Sequence, residues 1–171
     1  MLCIDDILPA HLRSLLAPLS LELTVVGPGQ TIPGSYWGEP EAGLIAGELF
    51  VRGDTPVHSA LHEAAHFICM TPERRTVLYT DAQGTDDEES AVCYLQLCLA
   101  EALPGVTQAR LMGDMDSWGY SFRLGSTRRW FKDDSQDARQ SLLAWRLIDD
   151  ENRFLFSVRG DGTFTAPGKG G

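Results

Sequence analysis

Apolar positions recur along this chain with two different spacings, which predict a mixture of helices and strands. A spacing of three to four residues predicts helices over residues 4–17, 56–70, 86–103, 106–113 and 135–149. Short apolar runs bounded by turn residues predict strands over residues 21–26, 35–37, 43–51, 153–158 and 163–165. We therefore expect an α+β fold, in which a small antiparallel or mixed sheet packs against three main helices.

The two helices in the middle of the chain have recognisable starting points. Thr55 and Thr85 are the predicted N-caps of the helices over 56–70 and 86–103, because a hydroxyl oxygen there accepts a bond from a free amide. Four acidic residues crowd the first turn of the second helix, where the helix dipole favours negative charge. The aromatic segment 114–125 is predicted to be a loop.

Length and composition indicate one globular domain. The chain has 171 residues, of which 43% are apolar and 22% are charged. A chain of this length can bury a sizeable core without disulfides. We expect a single domain over residues 1–166, followed by a flexible C-terminal tail over residues 167–171.

Net charge and hydropathy argue against a nucleic-acid partner and against a membrane-spanning segment. A formal charge of -10 argues against nucleic-acid binding, which requires clustered lysine and arginine. No segment approaches the roughly 18 consecutive apolar residues of a membrane-spanning helix. The four cysteines form no CxxC pair, and the first residues lack the basic region of a signal peptide. We expect a cytoplasmic protein, whose oligomeric state the sequence leaves open.

The segment HEAAH at residues 62–66 carries the strongest chemical signal. His62 and His66 are one helical turn apart on the same face, so both imidazoles can converge on one metal ion. Glu63 lies about 100° around the helix, where it can stand beside a metal-bound water without ligating the metal. This HExxH pattern predicts one zinc ion per chain, with Glu63 as the general base.

A catalytic zinc requires a third protein ligand. No histidine follows the motif, since the four are His11, His58, His62 and His66. The third ligand is therefore expected to be a carboxylate, or less favourably Cys93. Glu88 and Glu89 begin the next helix, and Glu88 is favoured because it is in line with the apolar stripe of that helix. Glu89, rotated toward Cys93 and Gln96, is the alternative.

Two further side chains are candidates for supporting roles. Peptide hydrolysis requires a group that stabilises the developing oxyanion, and Tyr120 is the candidate for it. Its alternative role is an aromatic anchor in a loop or in the core. His58 continues the spacing of the motif by one turn, and a capping or orienting role is favoured over metal ligation.

The strand LIAGELFV, the helix HEAAH and the following E-x-x-A at residues 88–91 resemble the small gluzincin metallopeptidases. Within that group, the short one-domain layout is similar to the ImmA/IrrE-type peptidases, and the resemblance covers roughly residues 40–103. It implies that His62, His66 and Glu88 are the zinc ligands and that Glu63 is the base. The chain departs from the family pattern at Ala65, where glycine is common, and at Val92, where asparagine or aspartate is common.

These observations together predict a zinc-dependent hydrolase, most simply a metallopeptidase that cleaves a peptide or protein substrate. The alternative is a metal-binding domain of zincin fold that serves in regulation or protein interaction with little or no proteolysis. Substitution of Glu63 separates the two functions, because only the first needs a general base.

Overall fold

A three-stranded mixed sheet occupies the N-terminal third of the chain. The computed structural model describes residues 1–77 and 84–160. The strands are β1 (Glu22–Val26), β2 (Gly43–Ile45) and β3 (Glu48–Arg52). The sheet has the order β1-β3-β2, in which β1 is parallel to β3 and β2 is antiparallel to it. The single strand predicted over 43–51 is therefore a hairpin, broken at Ala46, whose positive φ of 50° turns the chain.

Seven α-helices are found among the described residues. They are α1 (Pro9–Leu16), α2 (Val57–Cys69), α3 (Pro72–Val77), α4 (Asp86–Glu101), α5 (Gln108–Trp118), α6 (Thr127–Asp133) and α7 (Gln136–Ala144). The expected α+β class is confirmed. The sequence did not predict α3 and α6, which are short, and it ended α5 too early. The segment 114–125 was predicted to be a loop, but the helix continues to Trp118 and stops where Gly119 adopts a φ of 110°.

Two predicted strands are absent from the described residues. Over 35–37, only Ser35 forms a bridge, with Gly43, and the next two side chains are exposed. Over 153–158, Phe154 alone pairs, and the positive φ of 52° at Phe156 interrupts any extended strand. The predicted strand over 163–165 and the predicted tail over 167–171 lie outside the described residues.

Helix α4 is the central element of the structure. It is buried without interruption over residues 91–100 and contacts α2, α5 and α7. Its most extensive contact is with α2, and fully buried leucines such as Leu61 and Leu95 lie in their shared core. Each such side chain contributes about 1.5–3 kcal/mol relative to an exposed one. The helix that carries HEAAH is thereby held against the helix that carries the acidic turn.

The helix ends confirm one predicted cap and correct the other. The Thr85 hydroxyl accepts a hydrogen bond from the Glu88 amide at 3.2 Å, as expected of an N-cap. Thr55 does not cap α2, because its hydroxyl accepts instead from the Arg52 amide at 2.9 Å and closes the turn after β3. In the described part of the chain, no helix has the length and apolar character needed to cross a membrane.

Candidate metal centre

Three ligand atoms from two helices converge on one point. Helix α2 brings the Nε2 atoms of His62 and His66 within 3.1 Å of each other. The first turn of α4 adds Glu89, whose Oε1 lies 3.1 Å from Nε2 of His62 and whose Oε2 lies 3.1 Å from Nε2 of His66. Among the described residues, the ligand atoms of these three side chains are close enough to one another to hold a metal ion.

The separations within this group fit a zinc ion. Zinc binds imidazole nitrogen and carboxylate oxygen at about 2.0–2.2 Å, so two ligands of a tetrahedral site are about 3.3–3.5 Å apart. The observed separations of 3.1 Å are close to this spacing. Two histidines and one carboxylate leave the fourth position free, as a catalytic site requires.

A buried glutamine fixes the orientation of His62. Gln96 is fully buried, and its Nε2 donates to the carbonyl oxygen of His58 at 2.7 Å. Because that carbonyl can only accept, the Gln96 Oε1 faces His62 and accepts from its Nδ1 at 3.0 Å. The neutral form of His62 therefore carries its proton on Nδ1 and directs the Nε2 lone pair toward Glu89.

The electrostatics of the group favour a cation between the three ligand atoms. The pKa of His62 lies well above its ordinary value: burial lowers it, but Tyr120, Cys93 and Glu89 raise it more. The pKa of Glu89 lies well below its ordinary value, because hydrogen bonds from His62 and His66 outweigh the effect of burial. Without a metal, a proton on His62 supplies a positive charge beside the Nε2 atom of His66 and the carboxylate of Glu89, and this charge is stabilised by both.

Glu88, the favoured ligand from the sequence, is not in this group. Its carboxylate accepts two hydrogen bonds from Nη1 of Arg74, at 2.8 and 2.7 Å, and lies 3.5 Å from Nη1 of Arg159. Glu88 is 8% exposed, so its carboxylate is largely removed from solvent, whereas the Arg74 side chain is 31% exposed. The structure brings Glu89, the alternative from the sequence, to the two histidines, and it does not bring Glu88 there.

The burial of α4 explains why the sequence favoured Glu88, although Glu89, and not Glu88, faces the histidines. The argument for Glu88 assumed that one apolar stripe defines the face that contacts α2. Because residues 91–100 are buried on all sides, the stripe does not single out that face. The useful signal is the polar spacing of Glu89, Cys93 and Gln96, which lie on one side of the helix at intervals of four and three residues.

Glu63 faces an open cleft beside the three ligand atoms. The cleft has a volume of about 380 Å³, and its walls include Glu63, His62 and Glu89. Burial raises the pKa of Glu63 above its ordinary value, although His66 and His62 act in the opposite direction. A carboxylate with a raised pKa, placed beside a metal-activated water, is suited to accept and return a proton.

Tyr120 forms another wall of the same cleft. Gly119 ends α5 in a left-handed conformation, and the Tyr120 amide then donates to the carbonyl of Met115 at 3.1 Å. This turn places the Tyr120 ring 5.8 Å from the His62 ring, measured between centroids. The sequence-based candidate is thus beside the metal centre, but its hydroxyl contacts Nδ1 of His58 at 3.3 Å.

His58 lies behind the cleft rather than in the ligand group. It is 1% exposed, and its ring contacts Trp118 and Tyr120. Burial, together with the nearby His62, lowers the pKa of His58 to about 4, against a smaller opposing effect of Asp114. His58 is therefore neutral at neutral pH, in agreement with a supporting role.

Comparison of the chain with protein-family models, with curated proteins and with solved structures found no match. The resemblance to small gluzincin peptidases therefore stays a prediction that rests on HEAAH and its surroundings. The geometry of the three ligand atoms is independent of that resemblance.

Proposed function

We propose that this protein is a zinc-dependent hydrolase that cleaves a peptide bond in a peptide or protein substrate. One observation carries the proposal: the Nε2 atoms of His62 and His66 and the carboxylate of Glu89 lie 3.1 Å apart, and Glu63 lines the cleft beside them. This is the arrangement of two histidines, one carboxylate and a free base that metal-assisted hydrolysis requires.

Each side chain of the centre has a separate role in the proposed reaction. His62, His66 and Glu89 hold the zinc, and Gln96 keeps the His62 ring in its ligating orientation. The chemistry that zinc supplies when bound is Lewis acidity, which lowers the pKa of water to about 7. Glu63 accepts the proton of the attacking water and delivers it to the leaving amine.

In this scheme we assign to Tyr120 the stabilisation of the developing oxyanion. Its hydroxyl accepts a long hydrogen bond of 3.4 Å from Nε2 of Gln96, which leaves the phenolic proton available for donation. Rotation of that proton away from Nδ1 of His58 would direct it to an acceptor in the cleft. A phenol can supply such a bond to the developing charge without losing its proton.

The test of the proposed function compares the wild type with Glu63→Gln, after both proteins have been loaded with zinc. We expect about one zinc per chain in both, and cleavage of a fluorogenic peptide mixture by the wild type alone. Removal of Glu63 should reduce turnover at least a hundredfold, because a general base contributes about 10²–10⁴ to the rate. Glu73→Gln, an exposed change in α3, is the matched control and should retain full activity.

Two results would contradict the proposal. Equal cleavage by the wild type and by Glu63→Gln would show that the activity does not arise in this cleft. One zinc per chain without any cleavage would favour the metal-binding regulatory domain over the enzyme.

A further inference from the structure

The cleft beside the metal centre carries an uneven charge. Its walls include the carboxylates of Glu41, Glu63 and Glu89, and no lysine or arginine lines it in the described part of the chain. In the proposed function, Glu89 binds the zinc and Glu63 handles a proton. Glu41 takes no part in either task, so its negative charge is available to a substrate.

Glu41 is fixed in the cleft by one hydrogen bond to its carboxylate and by a second hydrogen bond at the next residue. Nε1 of Trp118, at the end of α5, donates to Oε1 of Glu41 at 2.8 Å. The next residue, Ala42, donates its amide to the hydroxyl oxygen of Ser59 in α2 at 2.9 Å. The indole engages one carboxylate oxygen, while Oε2 takes part in no hydrogen bond or ion pair among the described residues. A carboxylate held in this way is preorganised to receive a donor.

Aromatic rings form the remaining walls around this carboxylate. Trp37 precedes Glu41 in the same loop and is 79% exposed, and Trp118 is 39% exposed. Both tryptophans line the cleft together with Tyr120. Two exposed tryptophans that line the same cleft form an apolar patch, and such patches mark sites for a ligand or a partner. Electron-rich ring faces near a carboxylate favour a cationic group, which both attract.

We propose that the cleft formed by Glu41, Trp37 and Trp118 is a specificity subsite for a lysine or arginine side chain next to the scissile bond. The inference rests on the proposed function, because only a peptidase has a scissile bond. Recognition of the basic side chain is nevertheless a binding property, which can be measured without cleavage. A basic side chain would place its charged end against Oε2 of Glu41 and its methylene groups along the indole rings.

Other substrate side chains fit the same walls less well. A leucine side chain would contact the rings but would remove Glu41 from water without supplying a donor, which is unfavourable. A glutamate side chain in the subsite would be repelled by Glu41. The expected order of affinity is therefore basic, then apolar, then acidic.

The experiment uses zinc-loaded Glu63→Gln protein, so that binding is measured without cleavage. The probes are blocked alanine-rich hexapeptides that contain one lysine, leucine or glutamate, and titration calorimetry gives their dissociation constants. We expect the lysine peptide to bind at least tenfold more tightly than the leucine peptide. Adding Glu41→Gln should reduce that ratio to threefold or less, with zinc content unchanged. Glu22→Gln, an equal charge change on exposed β1, is the matched control and should leave the ratio unaltered.

Three outcomes would overturn the subsite: equal binding of lysine and leucine peptides, a lysine preference that survives Glu41→Gln, or no binding of any peptide. Failure of the proposed function has a different signature. If zinc-loaded wild type cleaves none of the peptides while the Glu41-dependent lysine preference persists, the catalytic proposal fails and the subsite stands.

Discussion

Glu88 and Glu89 are adjacent in the first turn of α4, but their carboxylates have different partners. Glu89 lies 3.1 Å from Nε2 of both His62 and His66, whereas Glu88 accepts from Arg74 at 2.7 Å. One residue corresponds to a rotation of about 100°, which separates a ligand position from a structural ion pair. The two glutamates therefore form a matched pair for testing the metal centre.

Substitution of each glutamate by alanine should separate zinc binding from stability. Glu89→Ala removes one of the three proposed ligands, so we expect less than about 0.2 zinc per chain after dialysis, as an order of magnitude for the two remaining ligands. Glu88→Ala should keep about one zinc but lower the free energy of unfolding by about 1–3 kcal/mol, because it removes the buried carboxylate that pairs with Arg74 and Arg159. Elemental analysis and urea denaturation measure the two quantities. Zinc lost from Glu88→Ala and kept in Glu89→Ala would return the ligand role to Glu88.

The sequence predicted the main helices and the convergence of His62 and His66 because both depend on local patterns. Apolar spacing located α2 and α4, and the four-residue interval placed His62 and His66 on one face. The choice between two adjacent carboxylates depends on tertiary contacts instead. Glu88 is held by Arg74 in the preceding helix α3 and by Arg159 far along the chain, and no helical spacing rule connects either residue to α4.

Local sequence patterns also could not predict the other residues that line the cleft. Glu41 and Trp37 lie in the loop before β2, and the packing of β2 against α2 brings this loop to the cleft. Gln96 left a weak signal, as a polar residue inside the apolar run AVCYLQLCLA. Its burial and its bond to His62 explain why a polar side chain is placed there, since a buried amide needs partners.

Gln96→Met should weaken zinc binding without removing it. Methionine has a similar volume but cannot accept the Nδ1 proton of His62, so the ring loses its fixed orientation. Loss of such an orienting partner raises the dissociation constant about 10–100-fold. Competition with a chromophoric chelator measures this change. Gln140→Met, an exposed change in α7, is the control, and equal affinities in the two variants would contradict an orienting role.

His58 should make the stability of the metal-free protein depend on pH. Its pKa is about 4 in the folded protein, lowered from 6.5 by burial and by His62, and its other charged neighbour is Asp114. The unfolded chain therefore binds more protons between these values, so stability falls as pH falls from about 6.5 toward 4 and is fully present above 6.5. Between pH 7 and pH 5, His58 should account for a loss of about 2 kcal/mol.

Urea unfolding of chelator-treated protein at the two pH values tests this expectation. His58→Gln should reduce the loss of stability on acidification by about 2 kcal/mol relative to the wild type. His11→Gln is the matched control on α1 and should leave the loss unchanged. An identical pH dependence in the wild type and in His58→Gln would show that His58 is not the group responsible.

Gly43 allows the loop that carries Glu41 to approach the sheet. A Cβ atom added at Gly43 would lie 1.8 Å from the carbonyl oxygen of Pro33 and 2.7 Å from the amide nitrogen of Ser35. These are backbone atoms, so the loop must move to accept even one methyl group. We expect Gly43→Ala to lower the free energy of unfolding by at least about 1–3 kcal/mol, the cost of overpacking.

Gly47→Ala is the matched control for this change, because its added Cβ would meet only the Ser20 carbonyl oxygen at 3.4 Å, an ordinary contact. It should alter stability by no more than about 0.5 kcal/mol. Urea denaturation of both variants in the zinc-loaded state measures the difference. Because Glu41 lies two residues before Gly43, the Gly43→Ala protein should also lose the preference for lysine peptides. Equal stabilities of the two alanine variants would show that the loop does not depend on this close approach.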